Sequence, residues 1–189
     1  MQRRCQVWAV LNVTPDSFSD GGRYLAPTDA LVRAKELLAG GADVLDIGGA
    51  SSRPPGKTYG GGAQPVSVEE ELRRVVPVIE QVVRSIEWTA AGGMSSSTRV
   101  SIDTTRPEVA RAALRAGASI VNDVSNGASE ALLEAAAEAN AELVLMHNRS
   151  DGSVAGANIE YRDVVEDVVA ELSAAADRAL RAGVASEHI

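Results

Sequence analysis

The sequence predicts an α/β fold built from β/α units of the barrel kind, and three observations carry that reading. Short apolar runs alternate along the whole chain with Ala-rich amphipathic stretches. Two predicted helix exits repeat one pattern, Gly41-Ala-Asp-Val-Leu-Asp46 and Gly117-Ala-Ser-Ile-Val-Asn122. Four apolar runs end in a polar side chain, at Asn12, Asp46, Asp103 and Asn122. Polar residues placed again and again at strand ends are what a site on one face of an α/β barrel requires.

Taken in order, the elements are a strand over 7–11, a helix over 28–39, a strand over 44–47 and a helix over 67–86. A strand over 100–102, a helix over 107–116, a strand over 120–122 and a helix over 129–139 follow. The last pair is a strand over 143–146 and a helix over 163–182. Thr28 and Ser67 are N-cap candidates, and Ser67 with Glu70 fits a capping box. Pro107 suits a first helical turn. Gly40-Gly41, Gly117 and Gly183 follow helix ends, where a left-handed residue is wanted. Segments 53–66 and 88–98 are rich in Gly, Ser and Pro and read as loops. The first follows a strand, on the face of the polar ends; the second precedes a strand, on the opposite face.

Composition narrows the classes of function. With 189 residues, 45% of them hydrophobic and 23% charged, the chain can bury one core as a single domain spanning 1–189. A formal charge of −8 argues against a role in coating nucleic acid, while a few local cations suffice for an anionic small substrate. Cys5 is the only cysteine, so no disulfide forms within the chain. No apolar run reaches transmembrane length and no signal-peptide pattern is present, which makes the cytoplasm the expected location.

The chemistry sits where strands end. Asn12 opens the stretch Asn12-Val-Thr-Pro-Asp-Ser-Phe-Ser-Asp-Gly-Gly22 and offers a carbonyl oxygen to a hard cation. Phe18, the only Phe, stands among polar neighbours and suits stacking on a flat ligand. Asp46-Ile-Gly-Gly49-Ala-Ser-Ser52-Arg53-Pro54 lets a ligand approach the backbone, and Arg53 can clamp a phosphate or a carboxylate. Gly56-Lys57-Thr58 is not a P-loop, because its upstream glycine would fall at Ser51. Asp103, flanked by apolar residues, either caps the helix at Pro107 or accepts from a ligand's N–H groups. Asp46 poses the same choice and reads as structural. Asn122 can donate and accept along the amide edge of a heterocycle. Met146 can pack on a flat ring. His147 reads as a structural histidine, since two histidines and one cysteine cannot build a zinc site.

Read together, these segments resemble the dihydropteroate synthases, the folate-pathway enzymes inhibited by sulfonamides. The matching pieces are Val10 to Gly22, Asp46-Ile-Gly-Gly49 with Ser51-Ser52-Arg53-Pro54, Ser101-Ile-Asp103-Thr, Asn122-Asp-Val-Ser125 and Leu145-Met146-His147. The resemblance implies a TIM (β/α)8-type barrel, of which this chain would hold about the first five β/α units. It implies that 6-hydroxymethyl-7,8-dihydropterin diphosphate is joined to p-aminobenzoate. Asn12 matches the position of a magnesium–diphosphate contact, so Mg2+ is the implied cofactor. Asp103 and Asn122 match the pterin-binding pair, with Met146 beside them. Ser52 matches a position that is usually Thr. Phe18 and Pro54 match residues lining the p-aminobenzoate pocket, and Arg53 and Asp20 match mobile-loop groups that complete the closed site. Ala50 stands where the family usually has Glu, and the stretches 55–64 and 88–98 are longer than usual.

The resemblance also implies elements beyond residue 189: an Asp-Pro-Gly strand end, a pterin-contacting Lys, an Arg/His phosphate anchor and the surface of the usual homodimer. Five units by themselves would leave the edges of strands 7–11 and 143–146 unpaired. Residues 1–189 alone are therefore expected to be molten and silent. Two other readings exist, a methyltetrahydrofolate-using methyltransferase of the related barrels and an inactive half-barrel partner. The first would not need the Asn12–Gly22 loop or Ser52-Arg-Pro54.

Overall fold

Alternating β-branched runs and Ala-rich helices give the elements their boundaries. The computed structural model describes residues 5–13, 27–50, 66–91, 98–149 and 159–189. In chain order these form β1 (Trp8–Asn12), α1 (Pro27–Ala39), β2 (Val44–Gly48), α2 (Val68–Ala91) and β3 (Arg99–Asp103). Then come α3 (Pro107–Arg115), β4 (Ile120–Asp123), α4 (Glu130–Glu138), β5 (Glu142–Leu145), α5 (Val164–Arg181) and a short 3-10 turn over Ser186–His188.

All five strands are parallel and lie in the order β1-β2-β3-β4-β5. A doubly wound sheet reverses its strand order part-way. Here nothing reverses, as in a barrel wall, where each strand is laid beside the one before it. Strand alternation then separates two faces. Leu11, Val13, Leu45, Ile47, Val100, Ile102, Val121 and Leu143 form one buried cluster with Ala34, Val75, Ile79, Val109, Leu132 and Ala179 of the helices. The positions between them, Asn12, Asp46, Gly48, Ser101, Asp103 and Asn122, point to the other side and carry the polar chemistry. Among the described residues, β1 and β5 pair on one side only. On the inner face Val10 is 60% exposed.

Four helix exits share one device. Ala42 N donates to Leu37 O, Ala118 N to Ala113 O, Ala141 N to Ala136 O and Val184 N to Ala179 O, each spanning a left-handed residue. Gly41, Gly117 and Gly183 fill that residue with φ of 94°, 106° and 97°, and Asn140 fills the fourth with φ 51°. The sequence shows the three glycines, whereas Asn140 was missed because Asn carries this conformation less often.

Several boundaries differ from the sequence reading. Helix α1 begins at Pro27, which places Thr28 inside the first turn rather than before it. Helix α2 runs on to Ala91, five residues past the expected end, because Glu87-Trp-Thr-Ala-Ala91 holds no breaker; the loop expected over 88–98 therefore begins later. Met146 falls just after β5 rather than within it. Ser67 Oγ accepts from Glu70 N at 3.2 Å as a cap should. The return half of the capping box is replaced, since Arg73 and Arg74 take the Glu70 carboxylate.

Candidate functional site

Register brings the predicted residues together. Asn12 pairs with Gly48, Gly48 with Asp103, and Asp103 with Asn122, so four adjacent strands present these residues in one row at their carboxyl ends. Gly48 keeps the row open. A Cβ there would stand 3.4 Å from Asn12 Oδ1 and 3.4 Å from Asp103 Oδ2, so the two side chains face each other across the space a side chain would fill.

Asp103 is the singular group of this row. Among the described residues nothing donates a hydrogen bond to its carboxyl, and burial raises its pKa to about 7, helped by the negative charges of Asp46, Glu71 and Asp123. It does not cap α3: the residue before Pro107 is Arg106, whose N–H is taken instead by Thr104 Oγ1 at 3.2 Å. Of the two roles open to Asp103 in the sequence, the capping role is excluded. A carboxyl held above its ordinary range, unpaired and at a strand end, is poised for a ligand that brings N–H donors or positive charge.

One layer below, Asp46 is 6% exposed and its Oδ2 accepts from Asn122 Nδ2 at 3.0 Å. Among the described residues its other oxygen, and the Oγ of its register partner Ser101, are buried without a partner. The structural reading of Asp46 is thus incomplete, because its side chain reaches a predicted site residue.

Behind the row lies an ion pair between a buried carboxylate and a partly exposed arginine, which sequence reasoning missed. Glu71 is 1% exposed; it accepts from Thr104 Oγ1 at 2.8 Å and from Arg106 Nη1 at 2.8 Å. Arg106 Nη2 also donates to Val66 O, and Arg74 Nη1 donates to Gly49 O. A signal existed in the helical spacing: Glu71, Val75, Val78 and Val82 share one face, so the first of them is due for burial.

At this stage the comparisons with known proteins decide the family. The model of a family described as pterin binding enzymes matches residues 8–189. The chain belongs to the pterin-binding enzyme family. It is 47% identical over 183 residues to the dihydropteroate synthase of Mycobacterium leprae, covering 95% of this chain and 57% of that relative. The solved dihydropteroate synthase of Burkholderia cenocepacia in complex with 7,8-dihydropteroate matches with a TM-score of 0.78 and 38% identity, over 100% of this chain and 57% of that one. That of Xanthomonas albilineans with 4-aminobenzoic acid matches with a TM-score of 0.78 and 40% identity, over 98% of this chain and 59% of that one. The chain therefore spans less than three fifths of the length of these members of the pterin-binding family. Its five parallel units correspond to part of a TIM-type barrel, as expected.

The remaining pterin-family positions divide in two. Asn12, Asp103 and Asn122 share the row, and Met146, 44% exposed, follows the next strand with its N–H on Asp123 O. Phe18, Asp20, Ser52, Arg53 and Pro54 lie outside the described residues. The turn after Asn122 is fixed from both sides. Asp123, fully buried, accepts from Ser125 N, Ser125 Oγ and Gly127 N, while Arg178 of α5 donates to Asn126 O and Gly127 O. His147 bonds Glu171 at 2.9 Å through Nε2, which agrees with a structural role. Arg149 joins that carboxylate and Asp167 beneath the ring of Tyr161, 4.0 Å from its centroid.

Proposed function

We propose that the protein containing this chain is a dihydropteroate synthase, with residues 1–189 as its pterin-binding domain. It would join 6-hydroxymethyl-7,8-dihydropterin diphosphate to p-aminobenzoate, giving 7,8-dihydropteroate and diphosphate. The observation that carries this reading is the carboxyl of Asp103, unpaired among the described residues and raised to about 7, in the row between Asn12 and Asn122.

The bond between the pterin methylene carbon and the diphosphate oxygen breaks, and the aniline nitrogen then attacks that carbon and loses a proton. Positive charge develops on the pterin as the diphosphate departs. Asp103 offers a fixed carboxylate to that charge and to the ring's N–H donors, in a site whose dipoles need no reorganisation. Asn122 would add an acceptor beside it, and Met146 would give a flat ring an apolar contact. Among the described residues no cluster of three His, Cys, Asp or Glu side chains could hold a metal by itself. Asn12 is one hard oxygen donor facing the Gly48 gap, a set that fits magnesium bound largely through substrate phosphates. When bound, Mg2+ would offset charge on the diphosphate. Arg53 and Asp20 would complete the closed site, Phe18 and Pro54 would line the p-aminobenzoate pocket, and Ser52 would bind substrate; the family resemblance supports these roles. Partners are thus two small molecules. Among the described residues no helix is long and apolar enough to cross a membrane, and a cytoplasmic location belongs to this proposal.

The test is diphosphate release by the gene's full-length product, given the pterin diphosphate and magnesium with and without p-aminobenzoate. Release that depends on p-aminobenzoate and yields dihydropteroate is expected. Its absence from a folded preparation overturns the assignment.

A further inference from the structure

Asn122 can present either end of its amide to a ligand, and which end it presents decides what it recognises. The structure contains a group that makes this choice. Asp46 Oδ2 lies 3.0 Å from Asn122 Nδ2. The reversed amide would set Asn122 Oδ1 against that oxygen, two acceptors at hydrogen-bond distance. Among the described residues nothing else competes for the contact: Asp46 is 6% exposed, its Oδ1 has no partner, and Ser101 Oγ beside it has none either. Asn122 is held at its backbone too, its carbonyl accepting from Thr104 N at 3.3 Å. The amide can therefore turn only about its own side chain, and Asp46 is the group that prevents it.

We propose that Asp46 is a positioning residue that fixes the polarity of Asn122, leaving Asn122 Oδ1 as an acceptor beside the acceptor Asp103. The row then reads ligand donors at two neighbouring positions, and selects an amino-bearing heterocycle over the analogue with a carbonyl in place of the amino group. This rests on the pterin site proposed above and goes beyond it, because it assigns the discrimination to a residue that touches no ligand. A site whose polar groups are set for one pattern rejects the other through groups left unpaired.

The experiment is calorimetric binding to the gene's full-length product of two probes, 6-hydroxymethylpterin and 6-hydroxymethyllumazine, which carries an oxo group where the pterin carries its 2-amino group. The parent is expected to prefer the pterin. Asp46→Asn frees the Asn122 amide, because the new side chain can donate as well as accept, and the ratio of the two affinities should fall by about tenfold or more. A merely structural role would weaken both probes alike, and an unchanged ratio overturns the proposal. The exchanged pair, Asp46→Asn with Asn122→Asp, restores one donor facing one acceptor and leaves an acceptor toward the ligand. It should recover the parent's ratio to within about threefold. If Asp46→Asn alone does not fold, this pair still decides: a folded exchanged pair without the preference overturns the proposal. A parent that binds neither probe overturns the pterin reading itself, which is a different result from a parent whose preference survives Asp46→Asn.

Discussion

The two faces of the sheet use the same alternation for opposite ends. On the outer face Leu45, Ile47, Val100 and Ile102 are wholly or almost wholly buried against helices, and their neighbours are fixed by packing. On the inner face Asp46, Gly48, Ser101 and Asp103 hold orphaned or unpaired polar atoms and a gap. The adjacent glycines Gly48 and Gly49 show the difference at its sharpest. A Cβ on Gly48 meets side-chain atoms of Asn12 and Asp103, none nearer than 3.4 Å. One on Gly49 would lie 2.6 Å from Val75 Cγ1 and 3.1 Å from Glu71 Cγ. One glycine leaves a gap between two polar side chains and the other makes room for a helix, so the two faces can be perturbed separately.

The largest separation should come from the ion pair of Glu71 and Arg106 on the helix side. Arg106→Ala leaves Glu71, 1% exposed, without its cation and should cost about 3–5 kcal/mol by urea unfolding. A loss below about 1 kcal/mol would mean that Thr104 alone satisfies Glu71. On the inner face the counterpart is Asp103→Asn, which keeps shape and removes charge. Turnover of the full-length product should fall roughly 10²-fold with folding preserved, and kinetics within about threefold of the parent would remove Asp103 from the mechanism.

The two glycines come next. Gly49→Ala should destabilise by about 1–3 kcal/mol, because Val75 and the Glu71 stem must shift. Gly48→Ala should stay within about 1 kcal/mol of the parent while weakening pterin binding, since its methyl fills the gap between Asn12 and Asp103. Equal Tm losses for the two would erase the distinction between the faces.

The pH dependence of Asp103 probes the inner face without any substitution. Its folded pKa of about 7 lies above the ordinary 3.8, so between those values the folded state holds a proton that the unfolded state has released. Stability from this group is therefore full below about pH 4, falls as pH rises toward 7 and levels off above it. Asp103→Asn should flatten that slope. Binding of a ligand that donates to the carboxylate runs the other way, strengthening as pH rises through 7.

Much of this was legible in the sequence, for stated reasons. Strand ends at Asn12, Asp103 and Asn122 could be read because an apolar run stopped by a polar residue is a local signal. Parallel register then placed them side by side. Glu71 was hidden by company: in Glu69-Glu70-Glu71 all three look like a solvated first turn, and only the phase of Val75, Val78 and Val82 separates the third. The tie between Asp46 and Asn122 spans 76 positions, and no local pattern encodes it. The cluster of His147, Arg149, Asp167 and Glu171 spans fewer positions but is also non-local, since the residues after β5 and helix α5 contribute to it from either side of 150–158. The end of α2 was misplaced because Gly92-Gly93 and the serines after them drew the loop boundary back over residues that continue the helix.

Arg99 stands at the opposite end of β3 from Asp103, bound to Glu142 of β5 and, through Nη2, to Gln6 ahead of β1. Its consequence concerns how the chain finds its pairing. Parallel strands joined by long crossovers must select a register with little help from their connections, and a shift of one residue turns every side chain over. A shifted β3 would drive Arg99 and Asp103 into the Leu-Val-Ile layer beneath the helices and abandon the partners of Arg99. The misaligned sheet is thereby rejected by two charges, one at each end of a single five-residue strand, before a substrate has any part in the choice.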